Sequence, residues 1–271
     1  MTNSPDGSGA TTDPTPIGAA ARFEPTQKWV RARFGDTFVA DSRHAMLLWE
    51  PPRSVPLYYF PVDDVRMDLL ESSDHRRPSA AMGNASYYHL RLGDRVAEKA
   101  AWRFAAPPPG APDASGFVAF KWDALDAWFE EDDEVFVHPR DPHHRIDVIN
   151  SSRHLRVEVA GQTVAETGRP RLLFETGLPV RYYIPKLDVR MDLMSLSKTI
   201  TRCPYKGHAT HYSVDPGGEP VADIAWCYLE PLPESARIEN LVSFYNERVD
   251  AIYVDGELEE KPTTQWSRPS R

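Results

Sequence analysis

The stretch Tyr58-Tyr59-Phe60-Pro61-Val62-Asp63-Asp64-Val65-Arg66-Met67-Asp68-Leu69 returns later in the chain as Tyr182-Tyr183-Ile184-Pro185-Lys186-Leu187-Asp188-Val189-Arg190-Met191-Asp192-Leu193. The offset is 124 residues (182 − 58), and nine of the twelve positions are identical. A period of this length is too long for a solenoid unit and suits a whole small domain, so the chain reads as two copies of one domain. The same offset sets Gly83-Asn84-Ala85-Ser86-Tyr87-Tyr88 against Gly207-His208-Ala209-Thr210-His211-Tyr212, Ala101-Trp102 against Ala225-Trp226, and Phe120 against Phe244. Upstream the register drifts by one residue, with Leu47-Leu48 facing Leu172-Leu173, as an indel in a turn produces.

Composition narrows the class. With 271 residues, each copy can bury a core of its own. A formal charge of −9 leaves no excess of Lys and Arg to neutralise phosphate, which argues against a general nucleic-acid or anionic-membrane surface. No apolar run approaches the roughly 18 residues of a membrane span. Cys203 and Cys227 are the only cysteines, too few for a disulfide framework, and the cytoplasm is the expected location. Residues 1–22, rich in Ser, Pro, Thr, Gly and Ala, read as a disordered leader. The repeats are expected at 23–137 and 155–258, with a linker at 138–154 and a tail at 259–271.

Between these limits the chain reads as short β-rich runs punctuated by Gly and Pro. Val30 to Phe34 and Thr37 to Ala40 flank Gly35-Asp36, and Leu155 to Val159 and Thr163 to Ala165 flank Ala160-Gly161-Gln162. Such pairs are hairpins. Further strands are expected at Tyr182 to Ile184, Thr210 to Val214 and Val221 to Tyr228, which makes the fold mainly β: two tandem copies of a small antiparallel domain.

Three groups carry candidate chemistry. Cys203-Pro204-Tyr205-Lys206-Gly207 holds a thiol three residues from an ammonium that would stabilise its thiolate, with Gly207 permitting close backbone approach. Its plainer reading is a small buried hydrophobe beside a surface charge. Cys203, His208, His211 and Cys227 together offer two thiolates and two imidazoles, a donor set for tetrahedral zinc. Their spacing matches no standard finger, and the aligned residues of the first copy are Ser79, Asn84, Tyr87 and Arg103, so the expected cofactor set is empty and zinc is the alternative. Last, Tyr182, Tyr183, Tyr212 and Trp226 recur in both copies and are expected either to pack the core or to line a pocket. Arg190, Tyr205, Lys206 and Gly207 would form the rim of that pocket, which would hold a small anionic or aromatic molecule. No Walker loop, dinucleotide fingerprint, G-x-S-x-G elbow or H-E-x-x-H motif is present.

Val157-Glu158-Val159-Ala160-Gly161, Tyr183-Ile184-Pro185 with Asp188-Val189, Cys203-Pro204-Tyr205-Lys206-Gly207, Ala225-Trp226 with Glu230-Pro231, and Phe244-Tyr245 with Asp250 and Asp255-Gly256 follow one another in a specific order. In this the second copy resembles an uncharacterised bacterial family, domain-of-unknown-function family 427, over about Arg156 to Gly256. The first copy, about Arg31 to Val137, resembles a diverged member in which Ser79-Ala80-Ala81-Met82-Gly83 replaces the Cys-Pro-Tyr-Lys-Gly pattern. The resemblance implies a small two-sheet domain, similar to the tent-like folds of some zinc-binding and methionine sulfoxide reductase relatives. It supplies no activity. A nucleotidyltransferase label sometimes attached to the family finds neither a phosphate loop nor a paired-carboxylate site here, since Arg190 sits between Asp188 and Asp192. The expected function is therefore binding of a small molecule in the second copy. The alternative is an enzyme with Cys203 as nucleophile or redox thiol and Lys206 assisting it.

Overall fold

A computed structural model describes residues 20–267. The chain divides into two compact units, Met1–Pro139 and Arg140–Arg271, and each holds one large and one small antiparallel sheet. The first unit contains β1 (Arg22–Pro25), β2 (Val30–Phe34), β3 (Thr37–Ser42), β4 (Met46–Trp49), β5 (Leu57–Pro61), β6 (Leu70–Ser79), β7 (Gly83–Leu92), β8 (Arg95–Arg103), β9 (Phe117–Phe120), β10 (Ala127–Glu130) and β11 (Asp133–Val135). The second contains β12 (Ile146–Asn150), β13 (Leu155–Val159), β14 (Gln162–Thr167), β15 (Arg171–Glu175), β16 (Arg181–Pro185), β17 (Met194–Cys203), β18 (Gly207–Val214), β19 (Val221–Tyr228), β20 (Leu241–Phe244), β21 (Ala251–Val254) and β22 (Glu257–Leu258). Strand orders are β1-β4-β5-β9-β8-β7-β6 and β11-β10-β2-β3 in the first unit, β12-β15-β16-β20-β19-β18-β17 and β14-β13-β21-β22 in the second. The duplication read from the sequence is thus a duplication of topology. Among the described residues no helix is long and apolar enough to cross a membrane.

The repeated dodecapeptide makes the corner between the two sheets. Tyr182, Tyr183 and Ile184 favour an extended, half-buried backbone, and Pro185 ends the strand because it brings no N–H to continue the ladder. Two short 3₁₀ turns follow, Lys186–Asp188 and Met191–Leu193. Between them Val189 bridges to Ala165 of β14, and the Arg190 N–H donates to the Val164 carbonyl at 2.8 Å. Asp188 accepts a hydrogen bond from the Thr167 hydroxyl at 2.7 Å. The first unit builds the same clip from Val65 on Ala40, Arg66 N–H on Val39 at 2.9 Å, and Ser42 on Asp64 at 2.6 Å. The identity of the two dodecapeptides therefore records how the large sheet is fastened to the small one.

Strand alternation gives each large sheet two buried faces. In the second unit Tyr182, Ile184, Tyr212, Val214 and Cys227 pack against Leu155, Val157, Ile252 and Val254 of the small sheet. The opposite, outer face carries Val148, Leu173, Tyr183, Ala209, Trp226, Tyr228 and Ile238. The link between β19 and β20 folds over that outer face, and its turn Pro233–Ile238 supplies Ile238 to the packing. The outer face is curled rather than flat. Lys206, in the β17–β18 turn, meets Glu175 at the end of β15 with Nζ–Oε2 at 2.5 Å, although β16, β20 and β19 lie between their strands. In a flat sheet four strand spacings would separate them by about 19 Å, far beyond side-chain reach.

Three parts of the sequence reading are revised. Ile146–Asn150, assigned to the linker, is edge strand β12, paired with β15 from Ile146↔Glu175 to Asn150↔Arg171. The tail, given only its bounds from sequence, returns to the second unit, where Glu259 accepts a hydrogen bond from the Tyr182 hydroxyl and Thr264 donates one to Glu247 at 2.6 Å. Leu70–Ser79 and Met194–Cys203, given no element from sequence, are ten-residue edge strands. The leader lies outside the described residues, apart from its last three, Ala20, Ala21 and Arg22.

Gly207 opens β18 at φ +94°, and a Cβ there would lie 3.3 Å from the Glu230 carbonyl oxygen. Gly83 repeats this at φ +82°, against the Ala106 carbonyl. Gly207→Ala therefore meets both backbone strain and a fixed carbonyl, and is expected to cost about 1–3 kcal/mol in chemical denaturation. A loss below about 0.5 kcal/mol would show that the hairpin tip relaxes freely.

Candidate functional site

Comparing the outer faces of the two units, position by position, isolates a site. Both keep a tyrosine–tryptophan pair: Trp102 Nε1 donates to the Tyr59 hydroxyl at 2.9 Å, and Trp226 Nε1 to the Tyr183 hydroxyl at 3.1 Å. Around that pair the first unit has the apolar Leu57, Met82, Phe104 and Ala119 beside Tyr87, whose hydroxyl accepts a hydrogen bond from Arg77 of the Glu50–Arg77 pair at 3.2 Å. The aligned residues of the second unit are Arg181, Lys206, Tyr228, Ser243 and His211. All five carry charge or hydrogen-bonding side chains in the buried layer: Arg181 is 6%, Lys206 8%, Tyr228 5%, His211 2% and Ser243 0% exposed.

Each charge in this layer is met. Arg181 forms a two-pronged pair with Glu247 at 2.6 and 2.7 Å, and Asn246 Oδ1 accepts a further bond from it at 3.2 Å. Burial pushes the Glu247 carboxyl up, but the bonds from Arg181 and Thr264 outweigh it and hold the group below the usual range. Glu175 behaves alike: burial raises it, while the hydrogen bond with His144 at 3.0 Å and the Lys206 ammonium outweigh that and bring it below the usual range. His144 also stacks on the Tyr205 ring at 4.1 Å, and the Tyr205 hydroxyl accepts the Asp141 N–H at 2.8 Å. Burial raises the Tyr183, Tyr205 and Tyr228 hydroxyls, so all three are neutral donors at ordinary pH.

Two polar atoms in this layer lack partners, His211 Nδ1 and Ser243 Oγ. His211 Nε2 meets the Thr201 hydroxyl at 2.9 Å, and its ring lies parallel to Tyr245 at 6.4 Å. Burial lowers the His211 pKa and keeps the imidazole neutral, with Asp223 opposing and Arg248 adding to the effect. One row across the sheet, His211↔Trp226↔Ser243↔Tyr183, holds both atoms, so Trp226 separates them.

The residues singled out from sequence divide between the faces. Tyr182 and Tyr212 lie in the core between the sheets, and Tyr183 and Trp226 on the outer face, so they do not line one pocket. Adjacent tyrosines on a strand must point opposite ways. Arg190 is exposed at the sheet corner and pairs with Asp192 at 2.5 Å. Gly207 holds the hairpin tip, and Tyr205 belongs to the Glu175 group. Lys206 reaches Glu175 rather than Cys203, which is half-buried at the end of β17. Of the zinc alternative, Cys227 is buried between the sheets, where burial raises its thiol, His208 is exposed, and His211 turns to the outer face. Among the described residues no three His, Cys, Asp or Glu side chains gather as a metal site. Ser243, Arg181, Tyr245 and Glu247 were passed over. For Arg181 and Ser243 a signal was available, as positions where the first copy has Leu57 and Ala119; Tyr245 and Glu247 face Lys121 and Asp123 and carry no such contrast.

These observations define the chain as two β-sheet domains on one topology, of which the second has a more polar outer layer than the first. The chain belongs to the family described as domain of unknown function (DUF427), whose model matches residues 22–131 and again 147–255. No curated protein matches it.

Lys206 has a counterpart in function though not in position. Glu50, aligned with Glu175, is 3% exposed at its side chain and pairs with Arg77 at 3.0 Å, from the strand that aligns with β17. Lys206→Met would import the first unit's own residue but strand the Glu175 charge. We expect a loss of about 3–5 kcal/mol, with much of it regained in Lys206→Met/Glu175→Gln. Equal losses in both variants would mean that the cost is packing alone. For His211 the folded pKa lies below the unfolded value near 6.5, so the unfolded chain binds the extra proton and stability falls as pH drops below that value. His211→Phe should flatten this part of a melting-temperature profile between pH 7 and 5. An unchanged slope would place the titration elsewhere.

Proposed function

We propose that the second repeat is a small-molecule-binding module whose site is the outer, concave face of its large sheet. One observation supports the reading above others: His211 Nδ1 and Ser243 Oγ are buried without partners at positions where the first repeat has Tyr87 and Ala119. An unsatisfied buried polar group costs about 1–3 kcal/mol, and the first repeat demonstrates that the fold does not require it. Groups held at such a cost and aimed into one layer are what a ligand's own polar atoms would satisfy. Trp226, Tyr183 and Tyr245 supply the aromatic walls and Arg181–Glu247 the edge. Compared with the pocket expected from sequence, the site keeps Tyr183 and Trp226 and loses Tyr182, Tyr212 and Arg190. The Cys-Pro-Tyr-Lys-Gly loop then acts as a clasp, through Lys206 on Glu175, and Cys203 is not required for binding.

Ser243→Ala separates binding from folding. It removes the unpartnered hydroxyl in favour of the first repeat's residue, and should raise stability by up to about 1 kcal/mol while weakening any ligand found by thermal-shift screening of the wild-type chain. His211→Phe should weaken the same ligands, and Cys203→Ser should leave their affinity unchanged. Ligands that bind both outer-face variants as well as the wild type would sink the assignment, and loss of binding in Cys203→Ser alone would return the thiol to the centre.

A further inference from the structure

Arg181, buried at the start of β16, lies beneath a residue from the tail. Its guanidinium carbon lies 5.6 Å from the Trp226 ring centroid and 5.5 Å from that of Trp266. Trp226 belongs to β19 and is fixed by the Tyr183 hydroxyl. Trp266 belongs to a short turn after the last strand, in which the Thr264 hydroxyl accepts the Trp266 N–H at 3.1 Å and the Thr264 carbonyl accepts the Ser267 N–H at 3.1 Å. That turn is tied down by the Thr264 hydroxyl on Glu247. One indole over Arg181 is thus part of the sheet, and the other is carried by a segment held through a few polar contacts.

The cations nearest the unpartnered atoms are already engaged. Lys206 faces Glu175, Arg181 faces Glu247, and at the far edge Arg248 donates to the Asp223 and Ala222 carbonyls beside the Asp223 carboxylate. Arg171, cross-strand from Tyr183, and Arg237, in the covering turn, have carbonyl partners instead, the Arg237 and Val148 carbonyls. Of the atoms awaiting partners, His211 Nδ1 and Ser243 Oγ suit a neutral donor or acceptor and Asp223 Oδ1, at the far edge, a neutral donor, and the walls are aromatic.

We propose that Trp266 is a built-in plug at the mouth of the site, and that the ligand is an uncharged planar aromatic that takes the indole's place over Arg181. This rests on the outer face being the binding site, and it replaces the anionic alternative raised by sequence. A planar π face over a guanidinium already paired with a carboxylate gains cation–π and stacking energy without needing charge of its own. The tail's indole shows that the mouth accepts a bicyclic ring of that kind.

Indole itself is the probe, with inorganic phosphate as the anionic control and the full chain labelled with 5-fluorotryptophan. The Trp266 resonance is assigned from Trp266→Phe. Indole is expected to shift that resonance to the position of an exposed tail, phosphate to move nothing, and Trp266→Ala to bind indole about ten-fold more tightly than the wild type. Indole bound without movement of Trp266, equal affinity in Trp266→Ala, no indole binding to either protein, or tighter binding of phosphate would each overturn the proposal. Two results keep it distinct from the reading it rests on. A neutral ligand lost in His211→Phe but leaving Trp266 in place overturns the plug alone. Indole that displaces Trp266 yet ignores His211→Phe and Ser243→Ala supports the plug and removes only the polar contacts assigned beneath it.

Discussion

A carboxylate buried inside a curled sheet must be met by a cation, and both halves of this chain depend on that requirement. Glu50 and Glu175 stand at the ends of equivalent strands, and each is nearly inaccessible. The partner comes from different places: Arg77 on β6 in the first unit, Lys206 in the β17–β18 turn in the second. That the ion pair persists while its cation moves marks it as an architectural need, because it draws the far hairpin back across the outer face. An unpaired charge there would cost several kcal/mol, enough to threaten a domain of this size. Lys206 is therefore explained before any chemistry is assigned to it.

The two faces of each large sheet have separate histories. Toward the small sheet, Tyr58 with Tyr182, Phe60 with Ile184, and Val65 with Val189 fill equivalent places, and the corner clip is reproduced almost bond for bond. On the outer face the Tyr–Trp hydrogen bond and a buried glutamate with its cation are kept, while Leu57, Met82 and Ala119 give way to Arg181, Lys206 and Ser243. Packing constrains both faces, so drift alone would exchange one apolar side chain for another of similar volume. Leu57 against Arg181 and Ala119 against Ser243 are exchanges of another kind.

The sequence made the duplication legible because it is carried by contiguous residues with unusual identity, and most strands were legible because Gly, Pro and β-formers mark their ends. The site was less so. Treating Tyr182 and Tyr183 as neighbours in one pocket ignored the alternation that sends them to opposite cores. The edge strands β6 and β17 were missed because one side faces water and their bulges, between Ser72 and Arg76 and between Leu196 and Ile200, break the alternating pattern. β12 was hidden among Pro and His residues, and only its pairing with β15 defines it. Ion pairs between residues 31 and 66 positions apart, such as Glu175–Lys206 and Arg181–Glu247, leave no local signal at all.

The tail and the polar layer explain each other. Leu57 of the first unit needs no cover, since an apolar side chain at the edge of an apolar layer loses nothing by lying against its neighbours. Arg181 in its place brings a guanidinium whose edges are taken by Glu247 and Asn246 but whose flat surface remains to be covered. Trp226 lies over it from the sheet and Trp266 from the tail. In the first unit the chain after β11 leads instead into the second repeat, and no such cover exists among the described residues. A polar site, the arginine at its edge and the aromatic side chain above it thus form one unit of design, and the half of the chain that lacks the first lacks the other two.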